Sequence, residues 1–333
     1  MAESQAPSAR PLLWSEALRA FVCMAPMLVA SAMGKTSYLV PMGQGAFFFS
    51  ALFLPARLRG RLLMGSIIVA FGLGFYLIGG NVVTRPWVAI LFTFFVAINL
   101  SFLSGWQIED WKLGGALALT FVMIYTAGLN TGSPADASAK FLALAAVTAW
   151  SVAISMLPFW TPIEPPEGEA LGVGDTVEQG VRMGLGMSLA LFVSYLLGFF
   201  SFGWAPSAVG HIVRFNEKVT HMRAWARFLG TIGGAILALL TLVLFPNLTV
   251  LIYASVVFAS LNGLFKARRI GQIPFFYTAT IILLYSAFDI DSGPRIAVQR
   301  VAYNTVGIVI GLLVVLYPFP DMMRRLRGGT PSG

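Results

Sequence analysis

The chain has 333 residues, 57% of them hydrophobic and only 11% charged, with a mean hydropathy of +0.80. A soluble domain of that length needs a far more polar surface, so composition excludes a water-soluble globular protein and points to a polytopic membrane protein in a lipid bilayer. The net charge of +8 suggests no nucleic-acid partner, because in a membrane chain Lys and Arg collect in cytoplasmic loops.

Residues 1–13 form an expected cytoplasmic tail, with no short apolar core and small-residue cleavage site in front of the first apolar run. Apolar runs of spanning length then predict six helices at about 16–34, 37–54, 60–79, 84–105, 111–129 and 137–158. The only cysteine, Cys23, lies in the first, so no intramolecular disulfide can form. A linker at 161–178, rich in Pro and Glu (Pro162, Glu164, Pro165, Pro166, Glu167, Glu169), separates this unit (14–160) from a second one (179–320). The second unit predicts six more helices at about 179–200, 203–215, 225–245, 249–265, 271–288 and 297–317, ahead of a basic cytoplasmic tail at 321–333. The second helix of each unit carries a proline, Pro41 or Pro206, which is expected to bend or break it. The 203–215 run is short enough for a half-membrane helix or one that continues into the cytosol.

The fold class is therefore all-α, with about 12 transmembrane helices. A cytoplasmic N-terminus puts 17 of the 22 Lys and Arg residues inside and leaves only Lys35, Arg85, Lys140, Arg295 and Arg300 outside. Both termini then lie in the cytoplasm.

The two units repeat. Tyr125, Pro134, Lys140 and Pro158-Phe159 recur 160 residues later as Tyr285, Pro294, Arg300 and Pro318-Phe319. With a slightly drifting offset, Arg19 matches Arg182, Pro41 matches Pro206, Gly65 matches Gly230 and Asn99 matches Asn262. Such parallel repeats are related by an axis along the membrane normal, and transport sites sit at their interface.

Residues 176–319 carry Arg182, Trp204-Ala205-Pro206, Arg227 with Gly230, Gly233 and Gly234, a basic turn Lys266-Ala267-Arg268-Arg269, and Arg300 with Gly307 and Gly311. This pattern resembles the fusaric acid resistance and aromatic acid exporter family, whose six-helix unit is similar to that of plant aluminium-activated malate channels. The second unit carries the resemblance well and the first more weakly. The resemblance implies efflux of small organic anions, often aromatic carboxylic acids, across a bacterial inner membrane, in some relatives with a periplasmic adaptor protein. A homo-oligomer is compatible with it. Many relatives carry large soluble domains after each membrane unit, and a compact membrane-only subgroup is the better comparison here.

The candidate substrate-binding residues follow from the repeat and from intramembrane polarity. Lys140 and Arg300 are expected at the outer part of a central pathway, and Arg19 and Arg182 at its inner mouth. Tyr125 and Tyr285 occupy matching positions and can stack on a ring or anchor at the interface. Gln44 and His211 lie near the two prolines, and His211 is the one conspicuous titratable group deep in a predicted helix. Asn99 and Asn262 suit interhelical hydrogen bonds. The acidic residues Glu16, Asp110, Glu178, Asp289 and Asp291 all fall near helix ends or in loops, which leaves a passive anion channel open beside a coupled exporter.

No enzymatic activity is expected, and no cofactor or metal. Gly34-Lys35-Thr36 ends like a phosphate loop, but Val29 stands where that loop needs glycine. The chain has no His pair at helical spacing, no Cys cluster and no recognisable Ser-His-acid set. The pairs Gly230/Gly234 and Gly307/Gly311 permit close helix approach.

Overall fold

The computed structural model describes residues 12–50, 52, 54–105, 114–160, 173–266, 274–287 and 289–316. These residues form twelve helices joined by turns, without a strand. The first six are α1 (Trp14–Ala32), α2 (Leu39–Ser50), α3 (Leu58–Val82), α4 (Pro86–Gly105), α5 (Gly114–Leu129) and α6 (Pro134–Ser155). The second six are α7 (Val173–Leu196), α8 (Trp204–Ile212), α9 (Glu217–Leu244), α10 (Leu248–Leu264), α11 (Phe275–Ser286) and α12 (Gly293–Leu316). Six of the described helices are long and apolar enough to cross a membrane: α1, α3, α4, α6, α9 and the Ile290–Leu316 stretch that contains α12. The chain is a multi-pass membrane protein.

Helix α4 shows why these residues fold as they do. Trp87, Leu91, Phe95 and Phe102 form an exposed apolar stripe at helical spacing, while Ala89, Thr93, Ala97 and Ser101 are buried on the other face. Bulk faces outward and small or hydroxylated side chains face the neighbouring helices, the arrangement that favours helix association in lipid. The helix starts are set by side-chain caps: Ser133 accepts from the Asp136 N–H ahead of Pro134, and Asn216 and Asn247 cap α9 and α10 in the same way.

Several boundaries differ from the sequence expectation. Helices α2 and α8 are shorter than predicted, and Pro41 and Pro206 each occupy the third helical position. A proline there lacks only an N–H that would be unpaired anyway, so both residues help to start their helices and break neither. Helix α7 begins at Val173, inside the expected linker, and α9 begins at Glu217, eight residues before the predicted 225. The proline that interrupts a helix is Pro26 in α1, and the carbonyl it frees, that of Val22, accepts a 2.9 Å bond from the Trp150 indole N–H on α6. Residues 161–172, Arg10, Asp110, Lys112, Arg268, Arg269, Pro318-Phe319 and the C-terminal tail lie outside the described residues.

Two extensive packings join the halves of the chain, α4 against α7 and α1 against α10, and α5 with α8 and α2 with α11 add smaller ones. Within the halves, α2 packs on α6 and α8 on α12, while α3 packs on α5 and α9 on α11. The predicted glycine contacts are present where the second half is tightest. A Cβ on Gly307 would overlap the Ala205 carbonyl oxygen, and one on Gly234 would overlap that of Phe275. Those two glycines bring α12 against α8 and α9 against α11.

Candidate functional site

Helices α2 and α8 are the inner elements. Every residue of α2 except Met42 is buried, and so is every residue of α8 except His211. At about 1.5 Å per residue, helices of 12 and 9 residues fall short of a hydrocarbon core ~30 Å thick. Their C-terminal carbonyls must therefore find partners inside the protein.

Cations supply them. Arg19, fully buried, donates to the carbonyls of Phe49 (3.4 Å), Ser50 (2.9 Å) and Leu52 (3.0 Å) at the end of α2, and to the Ser155 hydroxyl (3.1 Å). Lys266, 5% exposed, reaches the Ser50 and Leu52 carbonyls from beyond the end of α10. Glu16, 1% exposed, balances both: Arg19 Nη2 lies at 2.6 Å and Lys266 Nζ at 3.0 Å from its Oε2. Arg61 closes the end of α6 through the carbonyls of Leu157 and Trp160, each at 3.0 Å. Arg214 bonds the carbonyls of Gly210 and Val213 at the end of α8. These groups are helix-terminus caps that suit the negative pole of the helix dipole.

A second set of cations is different. Arg227 (5% exposed) on α9 and Arg300 (2% exposed) on α12 have no carboxylate in ion-pair contact among the described residues. Asn304 links them: its Oδ1 accepts from Arg227 Nε at 3.2 Å, and its Nδ2 donates to the Arg300 carbonyl at 2.8 Å. The Arg300 guanidinium lies 4.7 Å from the Trp204 ring centre and 5.7 Å from that of Tyr277, and its Nε has no hydrogen-bond partner. Aromatic rings continue around it. Trp204 meets Tyr285 edge-on at 5.5 Å, Tyr277 stacks on Phe47 at 4.5 Å, and Tyr303 stacks on Phe199 at 3.8 Å. Gln44 Nε2 of α2 donates to the Tyr285 hydroxyl at 3.4 Å. Five helices, α2, α8, α9, α11 and α12, thus converge on two cations and a ring-lined wall.

Of the residues expected from sequence, this cluster unites Arg300, Tyr285 and Gln44. Tyr125 is buried elsewhere and shares a 2.8 Å hydrogen bond with Thr93. Lys140, one third exposed, pairs with Asp136 on its own helix at 2.6 Å. Arg19 belongs to the α2 cap, and Arg182 pairs with Glu178 at 2.7 Å. His211 Nδ1 lies 2.6 Å from the Ser207 carbonyl, within electrostatic reach of Arg214, Arg223 and Arg227. Asn99 is exposed and bonds the Phe95 carbonyl of its own helix, and Asn262 is half-buried on α10. Trp204, Tyr277 and Asn304 are not among the site residues expected from sequence, and the charge count puts Arg227 with the inner-side cations, near the start of the predicted 225–245 helix. The corrected start of α9 puts ten residues, or about 15 Å, between Arg227 and the helix end.

Half-length inner helices, and buried cations that no carboxylate of the described residues pairs, are features of membrane proteins that handle polar solutes. Residues 189–314, from within α7 into α12, match the family model described as fusaric acid resistance protein-like. The family suggests a membrane transport or efflux function. No curated protein and no solved structure matches the chain.

Proposed function

We propose that the protein exports small organic anions, aromatic carboxylic acids foremost, across a bacterial inner membrane through a pathway between two pseudosymmetric six-helix halves, with both termini in the cytoplasm. The observation that carries this reading is the pair Arg227 and Arg300, buried beside Trp204, Tyr277 and Tyr285 with no carboxylate of the described residues in contact. A carboxylate would bond the guanidiniums, and its ring would stack on the aromatic wall. The helix packing supports two like halves. Each of four packings recurs six helices further on: α4–α7 as α10–α1, α2–α6 as α8–α12, α3–α5 as α9–α11, and α1–α2 as α7–α8.

The test is binding of aromatic acids to purified protein, followed through tryptophan fluorescence, in Arg300→Gln, Arg227→Gln and Lys140→Ala variants. Losing a charge-assisted hydrogen bond of about 1.5–3 kcal/mol weakens binding roughly 10- to 150-fold. That loss is expected for both arginine variants. Lys140→Ala is expected to bind like the parent, since its partner Asp136 lies on the same helix. Unchanged affinity in well-folded Arg300→Gln would remove the cluster from the transport site.

A further inference from the structure

Most other buried cations of the molecule have a counter-charge or a helix end to cap. Arg19 and Lys266 share Glu16, Arg182 has Glu178, and Arg61 is taken up by the carbonyls beyond α6. Arg227 and Arg300 have no carboxylate among the described residues. A guanidinium does not shed its proton in a protein, so neither can neutralise itself. His211, the nearby titratable base, would only add positive charge by taking a proton. The tyrosines 277 and 285 supply hydroxyls and ring faces, not a standing negative charge.

A carrier must pass through a closed state in which water has left the site. For an empty site, that state holds two uncompensated charges in a low-dielectric interior, at several kcal/mol per ion. A penalty of only ~3 kcal/mol slows the crossing about 100-fold. Binding one monoanion between the two guanidiniums cancels one of the two charges and so removes a large part of that penalty, whichever way the site faces.

We propose that this site does not return empty, and that the protein is an anion-for-anion exchanger in which a small inorganic monoanion such as chloride occupies the Arg227–Arg300 pair on the return leg. The inference rests on the cluster being the substrate site. It gives the cations a second ligand class and the transport cycle a one-for-one charge balance. One-for-one exchange of monoanions moves no net charge over the full cycle, so membrane voltage does not drive it. A passive channel behaves oppositely.

The full chain, reconstituted in lipid vesicles, is loaded with radiolabelled mandelate, with voltage held at zero by potassium and valinomycin. Efflux is compared into media whose anion is chloride, unlabelled mandelate or impermeant gluconate. Efflux into chloride or mandelate is expected to exceed efflux into gluconate by about tenfold or more, the rate ratio for ~1.4 kcal/mol. Radioactive chloride should enter as mandelate leaves. Equal efflux into all three media overturns the exchange inference. Binding separates that failure from failure of the site itself. If mandelate binds, chloride displaces it and Arg300→Gln loses it, the site stands even where exchange has failed. If the folded parent neither binds nor moves mandelate, both readings fall.

Discussion

Replacing Glu16 by glutamine probes how the two halves are held around α2. Glu16 accepts three charge-assisted bonds: from Arg19 Nε at 3.1 Å, from Arg19 Nη2 at 2.6 Å and from Lys266 Nζ at 3.0 Å. Arg19 is on α1 and Lys266 follows α10, so one carboxylate ties the first half to the second. A glutamine keeps one acceptor and turns an NH2 group toward a cation. Arg19 and Lys266 then face each other across the shared Ser50 and Leu52 carbonyls with no counter-charge. Breaking a buried pair in this way costs about 3–5 kcal/mol. At ~2 °C per kcal/mol for a large chain, thermal unfolding in detergent should fall by about 6–10 °C. Adding Lys266→Met removes the second cation and should recover about half of that loss. If Glu16→Gln alone unfolds within ~2 °C of the parent, the carboxylate does not hold the clasp.

Two further changes test other parts of the fold and site. Trp150→Phe removes the donor to the Val22 carbonyl that Pro26 leaves open and should cost about 1–3 kcal/mol. Pro26→Ala restores the helical N–H and should cancel that cost, which thermal unfolding of the double variant checks. Asn304→Asp places a carboxylate where the amide oxygen now lies 3.2 Å from Arg227 Nε. It should weaken anion binding about tenfold or more, by competing for the cation.

The helices are legible in the sequence because spanning runs are long and their starts carry caps such as Ser133, Asn216 and Asn247. The ends of α2 and α8 are not. Both helices are wrapped by protein; past α2 the apolar sequence continues through Leu52 and Leu54, so hydropathy registers no stop there. Cations mislead for a related reason. Lys266 and Arg61 fall in basic turns, and a lysine that caps a buried helix end looks the same in sequence as one that faces the cytosol. The internal repeat points to Arg300 and Tyr285, which do lie in one cluster, yet it implies an equal role for Lys140. That lysine has Asp136 one helical turn before it. At the repeat spacing of 160 residues, the position of Asp136 is taken in the second half by Ile296. Arg300 therefore has no acid one turn away on its own helix to satisfy it.

The same comparison explains why a duplicated fold would carry one cationic cluster and not two. At the spacing of the repeat, Tyr277 and Asn304 correspond to Leu117 and Leu144, and Arg227 to Leu62. Leu117 and Leu144 are buried, so the first half fills with hydrocarbon the positions that the second half gives to polar groups. Each buried guanidinium costs several kcal/mol of desolvation. A second copy of the Arg227–Arg300 pair would double that cost, whereas one solute needs only one set of charges. On the two-half reading, the first bundle keeps the helix packing and contributes Gln44 and Phe47 to the wall, and the second bundle holds the charge.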